Sequence, residues 1–257
     1  MRVLVTGGGA AEPIDRVRRI SNGASGRLGA ALADRFAAQA VVSQVVYLRA
    51  GDSVQPQAAG VEVETVQGVA DLAQAVRRRL TRAPVDAVVH SMAVSDYQVA
   101  RVAPAGDLAQ AVVGLSDPEQ VRRAILDGPG LDLGHKISSA HDDLVLVLRP
   151  AIKVIGLFKS LAPDALLVGF KLLDQVSQRE LLSAARQLME RNRCDWVLAN
   201  DLSQIGPDRH VGHLLDRAGR SRRFDSKAAI AEGIVEAVVQ RWTTTGSAPS
   251  DPTERRS

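Results

Sequence analysis

Glu12, Asp15, Arg18, Arg19 and Asn22 crowd into one polar stretch near the amino end, with Gly7-Gly8-Gly9 before it and Ser25-Gly26 after it. That mixture suits chemistry on anionic substrates. Glycines let main-chain N–H groups approach a phosphate, a helix N-terminus presents more of them, and an arginine fork matches a carboxylate or phosphate. Asparagine adds a neutral amide that can donate to a developing oxyanion without altering the local charge. The stretch lies between an apolar run, Arg2-Val3-Leu4-Val5, and a helical pattern opening at Gly26. A dinucleotide-binding turn leads from strand straight into helix. Here about fifteen residues intervene, well beyond the usual strand-to-helix connection, so the insertion is expected to be a site as well as a link.

Within it, Gly8, Gly9, Ser25 and Gly26 form the candidate anion cradle, the competing reading being glycines that simply permit tight turns. Asn22 is a candidate catalytic amide or a turn former before Gly23. Arg18 can clamp a substrate anion or pair with Asp15 or Glu12, and neither role excludes the other. Asp96 lies beyond a buried strand, where ligands gather in open α/β sheets. Read alone, Lys136 is an ordinary loop lysine. The spacing His210-x-x-His213 reads as strand surface and core and not as a zinc site. Cys194, the single cysteine, excludes an intrachain disulfide and a thiolate metal cluster.

Positioning these residues requires alternating apolar strands and amphipathic helices, the pattern of a mostly parallel sheet with helices on both faces. The predicted strands are Arg2–Val5, Ser43–Leu48, Val61–Val66, Ala87–Ser91, Leu144–Leu148, Leu166–Lys171 and Trp196–Ala199. The predicted helices are Gly26–Ala38, Val69–Arg79, Ala151–Leu161, Gln178–Arg191 and Lys227–Trp242, the last with Ser226 as N-cap. One domain is expected over 1–242. Residues 98–140 read as an irregular insertion carrying a mobile flap, with one helix at Pro118–Leu126. The tail Thr243–Ser257, rich in Thr, Ser, Pro and charge, is expected to be disordered. With 3% aromatics, the core must be built from Ala, Val, Leu and Ile. A net charge of +3 with scattered arginine argues against a nucleic-acid groove and suits small anionic substrates. No signal peptide or membrane-length apolar run is present, and a cytoplasmic protein is expected.

The ordered motif Glu12-Pro13-Ile14-Asp15-x-Val17-Arg18-x-Ile20-Ser21-Asn22-x-x-Ser25-Gly26-x-x-Gly29 resembles the signature of the phosphopantothenoylcysteine synthetase family. Ala93-Val94-Ser95-Asp96-Tyr97, Lys136-Ile137-Ser138-Ser139, Leu148-Arg149-Pro150, Val168-Gly169-Phe170-Lys171 and Ala199-Asn200-Asp201 follow in family order, so the similarity runs from Met1 to about Val239. The family joins cysteine to 4′-phosphopantothenate through an acyl-nucleotide. The resemblance implies a Rossmann-like fold, Asn22 at the reacting carboxyl and Arg18 in the substrate loop. It also implies Lys136 as flap lysine, and Met92, Ala93, Asp96, Pro150, Ala151, Ile152, Lys153 and Phe170 around the nucleotide. Asn200-Asp201 would support the site. Mg²⁺ with the nucleotide, a homodimer, and CTP in a free-standing bacterial-type enzyme are further implications, with ATP the other candidate; the metal ligands are not implied. The sequence departs at Ala10, where the family has threonine, at Lys-Ile-Ser-Ser in place of Lys-x-Lys-Lys, and at Leu188 and Asn192, where fused members carry lysines. A nicotinamide-dependent oxidoreductase and a non-catalytic nucleotide-binding relative are the alternatives. The first requires glycines leading directly into a helix and an acidic residue ending the second strand, whereas Leu48-Arg49-Ala50-Gly51 stands there.

Overall fold

The computed structural model describes residues 1–206 and 209–245. Its first strand, β1 (Arg2–Gly7), is followed by the short strands β2 (Ala11–Pro13) and β3 (Arg19–Ser21), then α1 (Arg27–Ala37), β4 (Gln44–Ala50), β5 (Val61–Val66), α2 (Val69–Arg82) and β6 (Ala87–His90). Next come β7 (Tyr97–Pro104), α3 (Ala105–Ala111), α4 (Pro118–Asp127) and β8 (Leu144–Pro150). The chain closes with α5 (Ile155–Leu161), β9 (Leu166–Leu173), α6 (Gln178–Asn192), β10 (Trp196–Asp201), β11 (Gly212–Asp216), β12 (Ser221–Phe224) and α7 (Lys227–Thr244).

Eight strands form one sheet in the order β12-β11-β10-β9-β6-β1-β4-β5. β5 through β10 in that order run parallel, and β11 and β12 add an antiparallel edge. The chain winds outward from β1 to β4 and β5, then returns to β6 on the other side. That reversal leaves a crevice at the carboxyl ends of β1 and β6, the usual ligand position in such sheets. The expected Rossmann-like architecture is what the structure shows.

The central strands are apolar throughout because both faces are covered. Val5, Val168, Leu198 and Phe36 pack with Ile230 and Ile234 under α1 and α7. Leu4, Val88, Leu167 and Val197 pack with Leu72, Phe158 and Leu181 under α2, α5 and α6. Local signals set the helix starts. Ser177 and Glu180 make a capping box at α6, Ser226 accepts from the Ala229 N–H at α7, and Asp117 caps α4 ahead of Pro118.

Three sequence expectations need correction. Residues 98–140 are less irregular than expected, since β7, α3 and α4 lie within or across them. The alternating Val99, Arg101 and Ala103 pair with β8 as a two-stranded antiparallel ribbon separate from the main sheet. Leu144–Leu148 is therefore a strand, but of that ribbon. Ala151–Lys153 lies outside any regular element, and the helix expected from Ala151 starts at Ile155. The Ala151 N–H is taken by the Asp96 carbonyl at 2.8 Å, which fixes the ribbon's exit. Finally, α7 continues through Thr244, with the Thr243 and Thr244 hydroxyls donating back to the Val239 and Gln240 carbonyls. The remaining tail positions, 246–257, lie outside the described residues.

Leu198 is fully buried at the centre of β10. Leu198→Ala is expected to cost about 2–5 kcal/mol, read as a lower denaturant midpoint at unchanged slope. A cost under about 1 kcal/mol would contradict the central placement of this strand.

Candidate active site

The site is built where β1 runs on past the sheet. Gly9 bridges to Ala93 in parallel pairing. The Ala93 N–H donates to the Gly8 carbonyl at 2.9 Å, and the Ala10 N–H donates to the Ala93 carbonyl at 3.0 Å. These bonds cross the β1–β6 crevice and tie the first loop to the segment after β6. One strand end below, Thr6 and His90 share a 2.8 Å hydrogen bond. His90 packs on Phe158 and burial drives its pKa down to about 4, so it stays neutral.

The polar insertion folds back on itself through β2 and β3, in antiparallel register from Ala11–Ser21 to Pro13–Arg19. Asn22 then lies on the crossing. Its main-chain N–H donates to the Ala10 carbonyl at 3.3 Å and its side-chain amide to the Ala93 carbonyl at 3.0 Å. Among the described residues, one of its two side-chain N–H groups and its Oδ1 take no partner, on an exposed residue. Gly9 is required there, since a Cβ at that position would collide with the Asn22 carbonyl oxygen.

Gly8 and Gly26 have a second task. Both have positive φ, and a Cβ on either would lie 2.6 Å from the Ser53 Cβ. The buried Ser53 side chain, bonded to the Ala50 carbonyl at 2.7 Å, fills the space between the glycine turn and the start of α1. A pyrophosphate would press into that space in a dinucleotide fold, so the arrangement disfavours the oxidoreductase alternative. Ser25 is exposed, and its carbonyl holds the Val54 N–H at 3.0 Å. The buried methyl of Ala10, where the family has threonine, joins the core.

Buried carboxylates shape the loops. Glu12 accepts from the Val69 N–H at 2.7 Å, at the start of α2, where the helix dipole favours a negative charge. Asp15 accepts from the Val17 and Arg18 main-chain N–H groups at 2.8 and 2.7 Å and from the Arg18 guanidinium at 2.9 and 2.6 Å. These donors, the Arg18 N–H foremost, hold its carboxyl well below the usual carboxylate range. Arg18 therefore takes the internal pairing that the sequence left open, while its side chain keeps 42% exposure. Asp201 ends β10 and accepts from Ser203 Oγ and N and from the Gln175 and Val176 N–H groups, which brings its pKa down to about 2.

Around the proposed nucleotide edge, Met92 is buried and its N–H donates to Thr6 Oγ1 at 3.3 Å. Ala93 is on the crossing. Asp96 and Lys153 form an exposed ion pair, and Pro150, Ala151 and Ile152 lead from the ribbon to Lys153. Phe170 stands apart from this group. It is half-buried against the layer under α1 and α7, whereas Met92 and Ala151 belong to the opposite layer. Lys136 is exposed on the segment between α4 and β8, next to buried Ile137. The sequence reading missed Ser53 and Ile137, which carry no motif, and named Asp15 only as a member of the insertion and a possible partner of Arg18.

Cavities of about 430 Å³ and about 570 Å³ lie elsewhere. The first is lined by Gln204, Arg209, His213 and Arg223 beyond β10, and the second by Lys159, Asp195 and Trp242 at the amino edge of the sheet. The candidate site is defined by the loops that converge on the β1–β6 crevice. Among the described residues no group of three or more His, Cys, Asp or Glu side chains converges as a metal cage.

The family of the DNA/pantothenate metabolism flavoprotein C-terminal domain matches residues 1–106 and 131–241. The chain belongs to this family. The matched blocks exclude 107–130, which carries all of α4 and most of α3, so the DNA/pantothenate metabolism flavoprotein match includes β7 and β8 but not the helices between them. A coenzyme A biosynthesis bifunctional protein CoaBC from Thermococcus kodakarensis is 34% identical over 84% of this chain and 45% of the relative. The chain spans about half the length of the curated relatives it matches. A crystal structure of the DNA/pantothenate metabolism flavoprotein from Streptococcus pneumoniae superposes with a TM-score of 0.78 at 28% identity, covering 94% of this chain and 99% of that one. A Cab2 variant in complex with phosphopantothenate-cysteine shares the fold, with a TM-score of 0.67 at 19% identity over 96% and 89% of the two chains.

Asp201 yields a pH prediction. Its folded pKa lies near 2, below the ordinary value of about 3.9, so its stabilisation is complete above that value and is lost as pH falls toward the folded value. Asp201→Asn should lower the melting temperature at pH 6 and flatten its decline between about pH 4 and 2. An equal decline in both proteins would remove this role.

Proposed function

We propose that this chain is a phosphopantothenate–cysteine ligase, and that Asn22, seated on the β1–β6 crossing, is the observation that carries the reading. Its motif resembles that of the phosphopantothenoylcysteine synthetase family, and family membership and the loop geometry support the same conclusion. In the reaction, a carboxylate oxygen of 4′-phosphopantothenate bonds to the α-phosphorus of a nucleoside triphosphate as the bond to pyrophosphate breaks. The amine nitrogen of L-cysteine then attacks the acyl carbon, losing a proton, and the nucleoside monophosphate leaves. Phosphoryl transfer asks the protein chiefly for positioning and charge stabilisation.

Asn22 has the open amide N–H to donate to the reacting carboxyl, its other donor being fixed on Ala93. Arg18 faces solvent with part of its guanidinium and supplies positive charge for the acid, with the main chain at Gly8, Gly9, Ser25 and Gly26 lining the same loop. Lys136, beside the Ile137 that Asp15 and Arg18 hold, neutralises phosphate charge. Met92, Ala93, Asp96 and the Pro150-Ala151-Ile152-Lys153 segment line the nucleotide. Phe170 is retained only as a neighbour of Lys171 on that strand end. Magnesium is proposed to arrive on the triphosphate, held by its oxygens, as is common for this ion; when bound it would draw charge from the leaving pyrophosphate.

CTP is the proposed nucleotide, because Gly169-Phe170-Lys171-Leu172-Leu173 is of the bacterial kind that the resemblance links to CTP. A homodimer is proposed through the β7–β8 ribbon, where Tyr97, Val145 and Leu148 are exposed and a strand edge is open to pairing. No helix among the described residues is long and apolar enough to cross a membrane, which is compatible with the proposed cytoplasmic location.

Pyrophosphate release, measured with phosphopantothenate, cysteine and either CTP or ATP, tests the reading. Release is expected to be faster with CTP, and no release with either nucleotide would remove the ligase assignment. Asn22→Ala should keep nucleotide affinity within about three-fold while product formation falls by about 10²-fold or more; unchanged turnover would strip Asn22 of its role.

A further inference from the structure

The segment that carries Lys136 is pinned at both ends. On one side, Arg101 of β7 is buried, and its guanidinium donates to the Pro129 carbonyl at 2.8 Å and to the Ala124 carbonyl at 3.0 Å at the end of α4. The Leu131 N–H adds a 2.8 Å bond to the Val102 carbonyl. On the other side, Ile137 is gripped through both of its main-chain groups. Its N–H donates to Asp15 Oδ2 at 3.1 Å, and its carbonyl accepts from Arg18 Nη2 at 2.8 Å. Its side chain is buried while Lys136 and Ser138 on either side are exposed. The same Arg18 nitrogen also reaches Asp15 Oδ2, at 2.6 Å. One ion pair thus joins residues more than a hundred positions apart in sequence.

We propose that Asp15 is a positioning residue whose pair with Arg18 latches Ile137, and so holds the Lys136 segment against the substrate loop. The proposal rests on the ligase reading for its kinetic consequence, but the latch itself is independent of it. Its physical basis is the completeness of the grip. A carboxylate in a buried setting needs several donors, and Asp15 finds them in its own turn, in Arg18 and in Ile137. Removing the charge leaves Arg18 without its partner and frees the Ile137 N–H, so the strap opens locally while the sheet stays intact. Because Arg18 is shared between Asp15, the Ile137 carbonyl and the acid site, ordering of the strap and binding at the substrate loop are coupled. A strap that is closed only part of the time lowers the apparent nucleotide affinity by the closed fraction, with a smaller effect on turnover at saturation.

Amide hydrogen exchange followed at single residues, together with steady-state kinetics of the full chain, tests this. Asp15→Asn should exchange the Ile137 amide at least about ten-fold faster than the unaltered protein, with amides of β1 and β6 unchanged. KM for the nucleotide should rise about ten-fold while kcat changes less. Arg18→Lys keeps the cation but loses the planar fork, and should give an intermediate acceleration at the same amide; it also serves if Asp15→Asn does not fold. Unchanged Ile137 exchange in the folded variants would overturn the latch. A kcat loss at constant KM with unchanged exchange would do the same. If the unaltered protein shows no ligase activity, the exchange result still decides the latch, so the two failures are distinguishable.

Discussion

Parallel strands that wind outward in both directions from β1 leave unpaired main-chain groups at the carboxyl ends of β1 and β6. In this protein those groups are not left to water or ligand. Gly8, Ala10 and Ala93 bond across the gap, and the crossing becomes a floor on which Asn22 is seated through two further bonds. Everything proposed for the site depends on that floor, because it fixes the start of the polar insertion relative to the segment after β6. Gly9 is the residue that allows it, since the returning Asn22 carbonyl comes too close for any side chain.

Above the floor, the loops are held chiefly by carboxylates that accept main-chain N–H groups. Glu12 ties the insertion to the start of α2, Asp15 ties it to the Lys136 segment, and Asp201 joins the ends of β9 and β10. Each is buried, and each satisfies donors that would otherwise be stranded away from water. This device suits an active site on loops. It gives an exposed crevice fixed geometry without enclosing it, and the positive groups Arg18, Lys136 and Lys153 remain partly open to solvent for anionic substrates.

Much of this was legible in the sequence, for identifiable reasons. The strands of the main sheet announce themselves as apolar runs because both of their faces are buried, and Ser177, Ser226 and Pro118 mark helix starts by local chemistry alone. The ribbon was harder to see. β7 is a half-exposed strand whose pattern is broken by a register shift between Val99 and Arg101, so its periodicity resembles that of a loop. Pairing with β8, many residues later, is what orders it. The glycine motif was read as an anion cradle, yet the neighbour of Gly8 and Gly26 is Ser53, which comes from a different loop and has no signature of its own.

The sequence by itself therefore determined the α/β class and the two-sided core, which follow from local periodicity, while Arg18, Asn22, Asp96 and Lys136 were singled out as candidates by the ordered motifs of the resemblance. Tertiary structure alone decided which of them meet. Arg18 could have faced a substrate or Asp15, and the fold gives its inner edge to Asp15 and Ile137 while leaving the rest exposed. Phe170 could have packed on either face of the sheet, and the strand's alternation turns it to the layer under α1 and α7. Such choices rest on contacts between segments far apart in the chain, where neither spacing nor composition carries information and only the packed geometry selects the partner.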